Sequence, residues 1–280
     1  MLFVMHPTAT TLERLERYYD SAPRAHSRLE EIGPFTLFVA TSGWPYYARP
    51  RLGETTTATV DDVRAVLSRQ RELGMPQTLE WVDEVTPGLV EVVRAAGATV
   101  EHCPILVLDG EPVGTSGTAR MLAAGDRADI STARASIAVS FQHGGTSTGA
   151  AGLQARDEQL GSSAATPDDG TLRARLAAGM VRMAAVNALD APDGGPVGGG
   201  SHIPVGDVTE VVGVGVLPAF RRRGLAGHLT YVLAQDALDR GVMTVFCSAQ
   251  SDDVARVYEA VGFRRVGTAC IASMEPSSPA

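Results

Sequence analysis

Apolar residues recur along this chain at two spacings, and the switches between them mark its elements. From Thr11 to Tyr19, Leu12, Leu15, Tyr18 and Tyr19 fall at helical intervals behind threonines suited to capping. Phe35–Val39 is short, aromatic and β-branched, which predicts a strand. Gly43–Pro50 carries Trp44, Tyr46, Tyr47 and two prolines, and reads as a loop whose rings either staple it down or wall an acceptor pocket. Thr59 followed by Asp61 and Asp62 opens a helix that Val63, Val66, Leu67 and Gln70 carry to Gly74. Thr78–Val82 predicts a strand, Leu89–Ala96 a helix ended by Gly97, and Thr99–Leu108 a strand region broken at Pro104. The order over 35–108 is thus β-α-β-α-β.

Asp109–Gly117 is rich in turn formers and sets a boundary, giving domains 1–112 and 113–280. Beyond it the pattern predicts a strand over Thr118–Ala123. A helix over Ile130–Phe141 follows, with Ile130, Ala133, Ile137, Ala138 and Phe141 on one side. His143–Pro167 is expected to be a mobile loop because Gly, Ser, Thr and Ala dominate it. A short helix over Thr171–Ala178 precedes a strand over Met180–Ala188. Asp190–Gly200 turns the chain, and Val197–Val205 predicts a weak, glycine-rich strand. Residues 208–272 then repeat β-α-β-α-β, with Tyr258–Gly262 standing where Glu91–Gly97 stands in the first copy.

Composition narrows the class. Of 280 residues, 44% are hydrophobic and 20% charged, as in an ordinary globular chain. A net charge of −8 argues against general nucleic-acid binding, which leaves a basic footprint. No apolar run approaches the ~20 residues of a membrane helix, and Met1–Met5 is too short and lacks the basic start of a signal peptide. Cys103, Cys247 and Cys270 lie in or beside apolar runs and read as buried thiols of a reducing cytoplasm. No His, Cys and carboxylate cluster has metal spacing, so no metal is expected.

The candidate chemistry lies in Val208–Gly227, VTEVVGVGVLPAFRRRGLAG. A β-branched run passes through Leu217-Pro218 and enters a helix at an arginine-glycine turn. The first amides of a helix lack internal partners, and the helix dipole places partial positive charge there. With Gly224, Ala226 and Gly227 offering little side chain, a diphosphate could approach the backbone closely. A merely solvated basic turn is the competing reading. Other phosphate loops fit worse: GxxxxGK[ST] is impossible in a chain without lysine, and GxGxxG fails after Gly213-Val214-Gly215 at Pro218.

Arg221-x-x-Gly224-x-Ala226 resembles the [QR]-x-x-G-x-[GA] signature of the GNAT (Gcn5-related) N-acetyltransferases. Asp252-x-x-Ala255-x-x-x-Tyr258-x-x-x-Gly262-Phe263 resembles that family's second motif, with aspartate where asparagine is usual. Two motifs in order are specific, and the resemblance is clear over Val208–Ala272. It implies an α/β (α+β) GNAT fold with a mixed, mostly antiparallel central sheet flanked by helices, and a degenerate GNAT-like N-terminal half. It implies acetyl-CoA as acyl donor, with the diphosphate at Arg221, Arg222, Arg223, Gly224, Leu225, Ala226 and Gly227. The backbone of Val214, Gly215 and Val216 would pair with the pantetheine arm, and Asp252 would lie by the coenzyme. Tyr258 would be the acid that protonates the leaving thiolate. Glu210 would be the base, partly buried between apolar neighbours, a setting that raises a carboxyl's pKa; His202, Asp207 and His143 are alternatives. The expected activity is acetyl transfer from coenzyme A to an amine of a small molecule or peptide, in a cytoplasmic protein; a homodimer is compatible with it. The alternatives are a donor linked to a carrier protein or tRNA, and a non-catalytic acyl-CoA-binding module.

Overall fold

The computed structural model describes residues 7–41, 46–162 and 169–274. Gly43, Trp44 and Pro45 of the aromatic loop, and Met1–Met5, lie outside them. The chain divides into two compact units. One joins Met1–Ile105 to Val266–Ala280; the other is Leu106–Arg265.

The first unit opens with helix α1 (Pro7–Arg24), then strands β1 (Ser27–Ile32), β2 (Phe35–Ala40) and β3 (Arg49–Pro50), which form a three-stranded sheet in that order. The pattern above missed β1, because SRLEEI is polar, has no fully buried residue and shows no apolar alternation. Helix α2 (Val60–Glu72) starts on a capping box: the Thr59 hydroxyl accepts from the Asp62 amide, and the Asp62 carboxylate accepts from the Thr59 amide. Strand β4 (Thr78–Val82), helix α3 (Leu89–Ala95) and strand β5 (Thr99–Leu108) follow. Strand β5 runs through Pro104 unbroken. Proline's fixed φ suits extended backbone and removes only one ladder donor. The C-terminal strand β11 (Phe263–Ser273) pairs antiparallel with β4, placing Cys270 opposite Trp81. Phe35, Leu37, Leu79, Trp81 and Val93, all fully buried, form this unit's core with α2 and α3.

The second unit contains β6 (Ala119–Leu122), α4 (Arg127–Gln142), α5 (Leu153–Gly161), α6 (Asp169–Ala177), β7 (Arg182–Asn187), β8 (Pro196–Val205), β9 (Val208–Val216), α7 (Leu225–Asp239), β10 (Thr244–Ser248) and α8 (Asp252–Glu259). Its strands lie in the order β10-β9-β8-β7-β6, antiparallel except for the parallel β10–β9 pair. Strand β8 is ten residues long and paired on both sides. Its glycines make it possible. A Cβ at Gly199 would come within 3.1 Å of Ala133 on α4, and one at Gly200 within 3.2 Å of Leu233 on α7. Successive strand residues face opposite ways, so the two glycines let a helix settle closely on each face.

Two further expectations need correction. Part of His143–Pro167 is helix α5, not loop: Leu153–Gly161 is a run of good helix formers. It is held by buried Arg156, which donates to the carbonyls of Gly194 and Pro196. Residues 163–168 lie outside the described residues. Phe141 does not share the buried side of α4; it is 56% exposed near the helix end, while Ile130, Ala133, Ser136 and Val139 are buried. The three cysteines are free and buried. No helix among the described residues is long and apolar enough to cross a membrane.

Candidate active site

Strand β9 is irregular where it matters. Its register with β8 pairs Ser201 with Val212 and Gly199 with Gly215, so Gly213 and Val214 together oppose Gly200. Gly213 has φ +64, the left-handed conformation that starts a glycine β-bulge. A bulge leaves its extra residue out of the ladder and re-aims the neighbouring backbone. The sequence carried a signal for it, an isolated glycine inside a strand pattern.

After β9, a 3-10 turn over Pro218–Phe220 leads to Arg222 at φ +63 and Gly224 at φ +78. Gly224 is the N-cap of α7 and supplies no side-chain hydrogen bond, so Leu225, Ala226 and Gly227 present helix-start amides without a side-chain cap. A Cβ at Gly224 would meet nothing nearer than His228 Nε2 at 3.9 Å. The space in front of this helix end is therefore open.

These pieces line one cleft of about 330 Å³. Val214, Gly215, Val216, Arg221, Arg222, Gly224, Leu225, Ala226, Gly227 and Tyr258 all face it. So do Ser140, Gly145, Thr146, Phe220, Val254 and Val257, which the sequence did not single out. A hollow of about 480 Å³, lined by Thr146, Arg222, Asp253, Arg256 and Val257, shares three of these residues.

The three arginines of the turn have separate fates. Arg221 donates from Nε to the Val216 carbonyl (3.1 Å), from Nη1 to that of Ser147 (3.0 Å) and from Nη2 to that of Ser140 (2.9 Å). Arg223 pairs with Asp190 and lies over the Phe220 ring at 5.0 Å, outside the cleft lining. Arg222 is exposed and faces both hollows. Asp252 sits in the first turn of α8, paired with Arg265 at 2.6 Å, and does not line the cleft.

Tyr258 projects from α8 with its side chain buried. Burial pushes its phenol well above the usual tyrosine pKa, and Cys247 and Glu210 add to the effect. The hydroxyl is thus a proton carrier that stays protonated across the neutral range. Glu210 is half-buried on β9, opposite Phe246 of β10, and its charge bears on both Tyr258 and Cys247. It is not among the cleft-lining residues. Of the alternative bases, His202 is fully buried with Nε2 2.9 Å from Asp236 and Nδ1 2.9 Å from Thr209, a structural position. Asp207 and His143 are exposed. The described residues hold no group of three or more His, Cys, Asp or Glu placed to bind a metal.

The cleft therefore combines an open helix end, a bulged stretch of strand and a buried tyrosine that keeps its proton. Residues 149–263 match the model of the acetyltransferase (GNAT) family. No curated protein matches the chain. Among solved structures, a GCN5-related N-acetyltransferase from Kribbella flavida shares 20% identity over 95% of this chain and 96% of that one, with a TM-score of 0.64. A GCN5-related N-acetyltransferase-like protein from Streptococcus suis shares 13% identity over 95% and 99%, with a TM-score of 0.52. At these identities the likenesses show the fold. The chain has the GNAT fold, with a GNAT-like N-terminal half and, over residues 149–263, a domain of the GNAT acetyltransferase family.

Proposed function

We propose that this protein transfers an acetyl group from acetyl-CoA to an amine of a small molecule or peptide. One observation carries the reading: the open amide end of α7, the bulge of β9 and the buried Tyr258 line the same cleft. The donor supplies an activated acyl thioester. The amides of Leu225, Ala226 and Gly227, at the positive end of α7, fit a diphosphate, and the left-handed Gly224 leaves room for it. The backbone of Val214–Val216 offers hydrogen bonds along the cleft to an extended chain bearing amides, and an N–H re-aimed by the bulge suits polarisation of a carbonyl. Tyr258 keeps its proton until the leaving sulfur needs it. Glu210 is the base, taking the ammonium proton directly or through water.

We further propose one donor site per chain, in the part beyond residue 112. In the first β-α-β-α-β run, α2 holds the place that α7 holds in the second, and its amide end is closed by the Thr59–Asp62 capping box. An end satisfied by the chain's own carboxylate has no call for a second anion. Three buried free thiols suit a cytoplasmic setting. Calorimetry with coenzyme A, followed by thiol release from acetyl-CoA across a panel of amines, tests the reading. Binding at one equivalent and amine-dependent thiol release are expected. Absence of binding, or two equivalents per chain, would overturn it.

A further inference from the structure

All three guanidinium nitrogens of Arg221 are committed to carbonyls from three separate segments: the end of β9, the end of α4, and the loop after α4. Among the described residues no carboxylate pairs with it, although burial alone pushes its pKa below the ordinary arginine value. The loop it grips lies flat on the turn. The Gly149 amide donates to the Pro218 carbonyl at 3.2 Å, and the Ala219 amide to that of Ala151 at 3.0 Å. A Cβ on Gly149 or Gly152 would press to 3.2 or 3.3 Å against Pro218 or Ala219, so both glycines serve this close approach. Between Ser140 and Ser147, two of the three residues whose carbonyls Arg221 holds, Gly145 and Thr146 form part of the cleft wall. Ser140 forms it as well, close enough over β9 that a Cβ at Gly215 would stand 2.8 Å from its hydroxyl.

Resting on the proposed donor site, we infer that Arg221 is a positioning residue. Its side chain is a strut that fixes residues 140–149 as the roof of the donor cleft, and it is no ligand of the donor's anion. The planar guanidinium makes this possible, because its donors diverge in fixed directions and can hold three carbonyls at once. Lysine keeps the charge and loses that geometry. The helix-start amides of Leu225–Gly227 are untouched by such a change, so the donor's anionic end remains held while its reactive end loses a wall. Small misplacements of reacting groups cost rate more than affinity.

The test is Arg221→Lys, read by amide hydrogen exchange without any ligand. Exchange at residues 143–149 should quicken tenfold or more, while the core of α7 (Leu229–Ala234) keeps its protection. With coenzyme A as probe, Kd should stay within threefold; in the thiol-release assay kcat should fall at least tenfold with the donor's KM little changed. Unchanged exchange in the loop would overturn the inference, and so would a tenfold or greater loss of coenzyme A affinity, which would make Arg221 an anion ligand. If Arg221→Lys loses the α7 protection, Arg221→Gln is read by the same criteria. The exchange result stands whether or not the parent protein binds coenzyme A, so its failure is separable from failure of the donor assignment.

Discussion

Gly224 offers the sharpest test of the anion cradle, because two costs of replacing it can be separated. At φ +78 it sits where a Cβ strains the backbone by about 1–2 kcal/mol. The same residue caps α7, and its missing side chain leaves the cleft in front of the amides open. Gly224→Ala should therefore lose both stability and donor affinity. Gly206, in the turn between β8 and β9, has φ +60 with nothing within 4 Å of a built Cβ, and it is not part of the cleft lining. Gly206→Ala carries the strain alone. Both variants should lose about 1–2 kcal/mol in urea denaturation. Only Gly224→Ala should bind coenzyme A more weakly, by tenfold or more, equivalent to about 1.4 kcal/mol. Gly224→Val should be worse still, since a branched side chain reaches further into the space. Coenzyme A affinity within twofold of the parent in Gly224→Ala, beside the same stability loss as the control, would refute the cradle.

Three further outcomes follow from the site and its supports. Tyr258→Phe should lower kcat by about 10²–10⁴-fold at every pH tested, and because the phenol titrates well above its usual range the parent should show no falling limb from it at alkaline pH; a loss under threefold would remove it as the acid. Glu210→Gln should be slow at pH 7 and regain much of its rate near pH 9, where the amine sheds its proton unaided, whereas an unaltered pH–rate profile would pass the base role elsewhere. Asp236 accepts from Arg182, Arg240 and His202, and these donors hold its carboxyl well below the usual range despite burial, the largest opposing effect. A carboxylate with a depressed folded-state pKa adds stability that is full above its unfolded pKa, about 3.9, and is lost as pH falls through the folded value. Asp236→Asn should thus cost roughly 3 kcal/mol in denaturant at pH 7, with the gap to the parent narrowing as pH drops below about 4; a gap constant with pH would show that the charge is not what matters.

Local rules reached far into this molecule. Thr59 and Asp62 announced α2, and Thr78–Val82 is a strand with the bounds its residues suggest, because each is decided by neighbours in sequence. The turn into α7 was legible for the same reason. The three arginines were not: identical in a row, they diverge because Ser140, Ser147 and Asp190, which decide their contacts, are far away in the chain. Helix α5 was hidden by the glycine and serine around it, and its anchor, Arg156, looks in sequence like any surface charge. The glycines of β8 read as weakness, yet their value lies in helices whose approach no local pattern reveals. Glu210 and Tyr258 stand out in the sequence only as single candidates; their electrostatic coupling depends on the fold.

The order in which the chain is laid down has a consequence for its biogenesis. The second unit is one unbroken stretch, Leu106–Arg265, inserted between the two pieces of the first. Strand β4 carries Leu79 and Trp81, fully buried in the finished protein, and its partner β11 is the last strand of the fold. On the ribosome, therefore, this early-made apolar strand must wait without its β11 partner while the whole inserted unit is synthesised and folds. Pairings this distant close slowly and leave sticky edges exposed in the meantime. The N-terminal half is thus the part of this protein most in need of protection at birth.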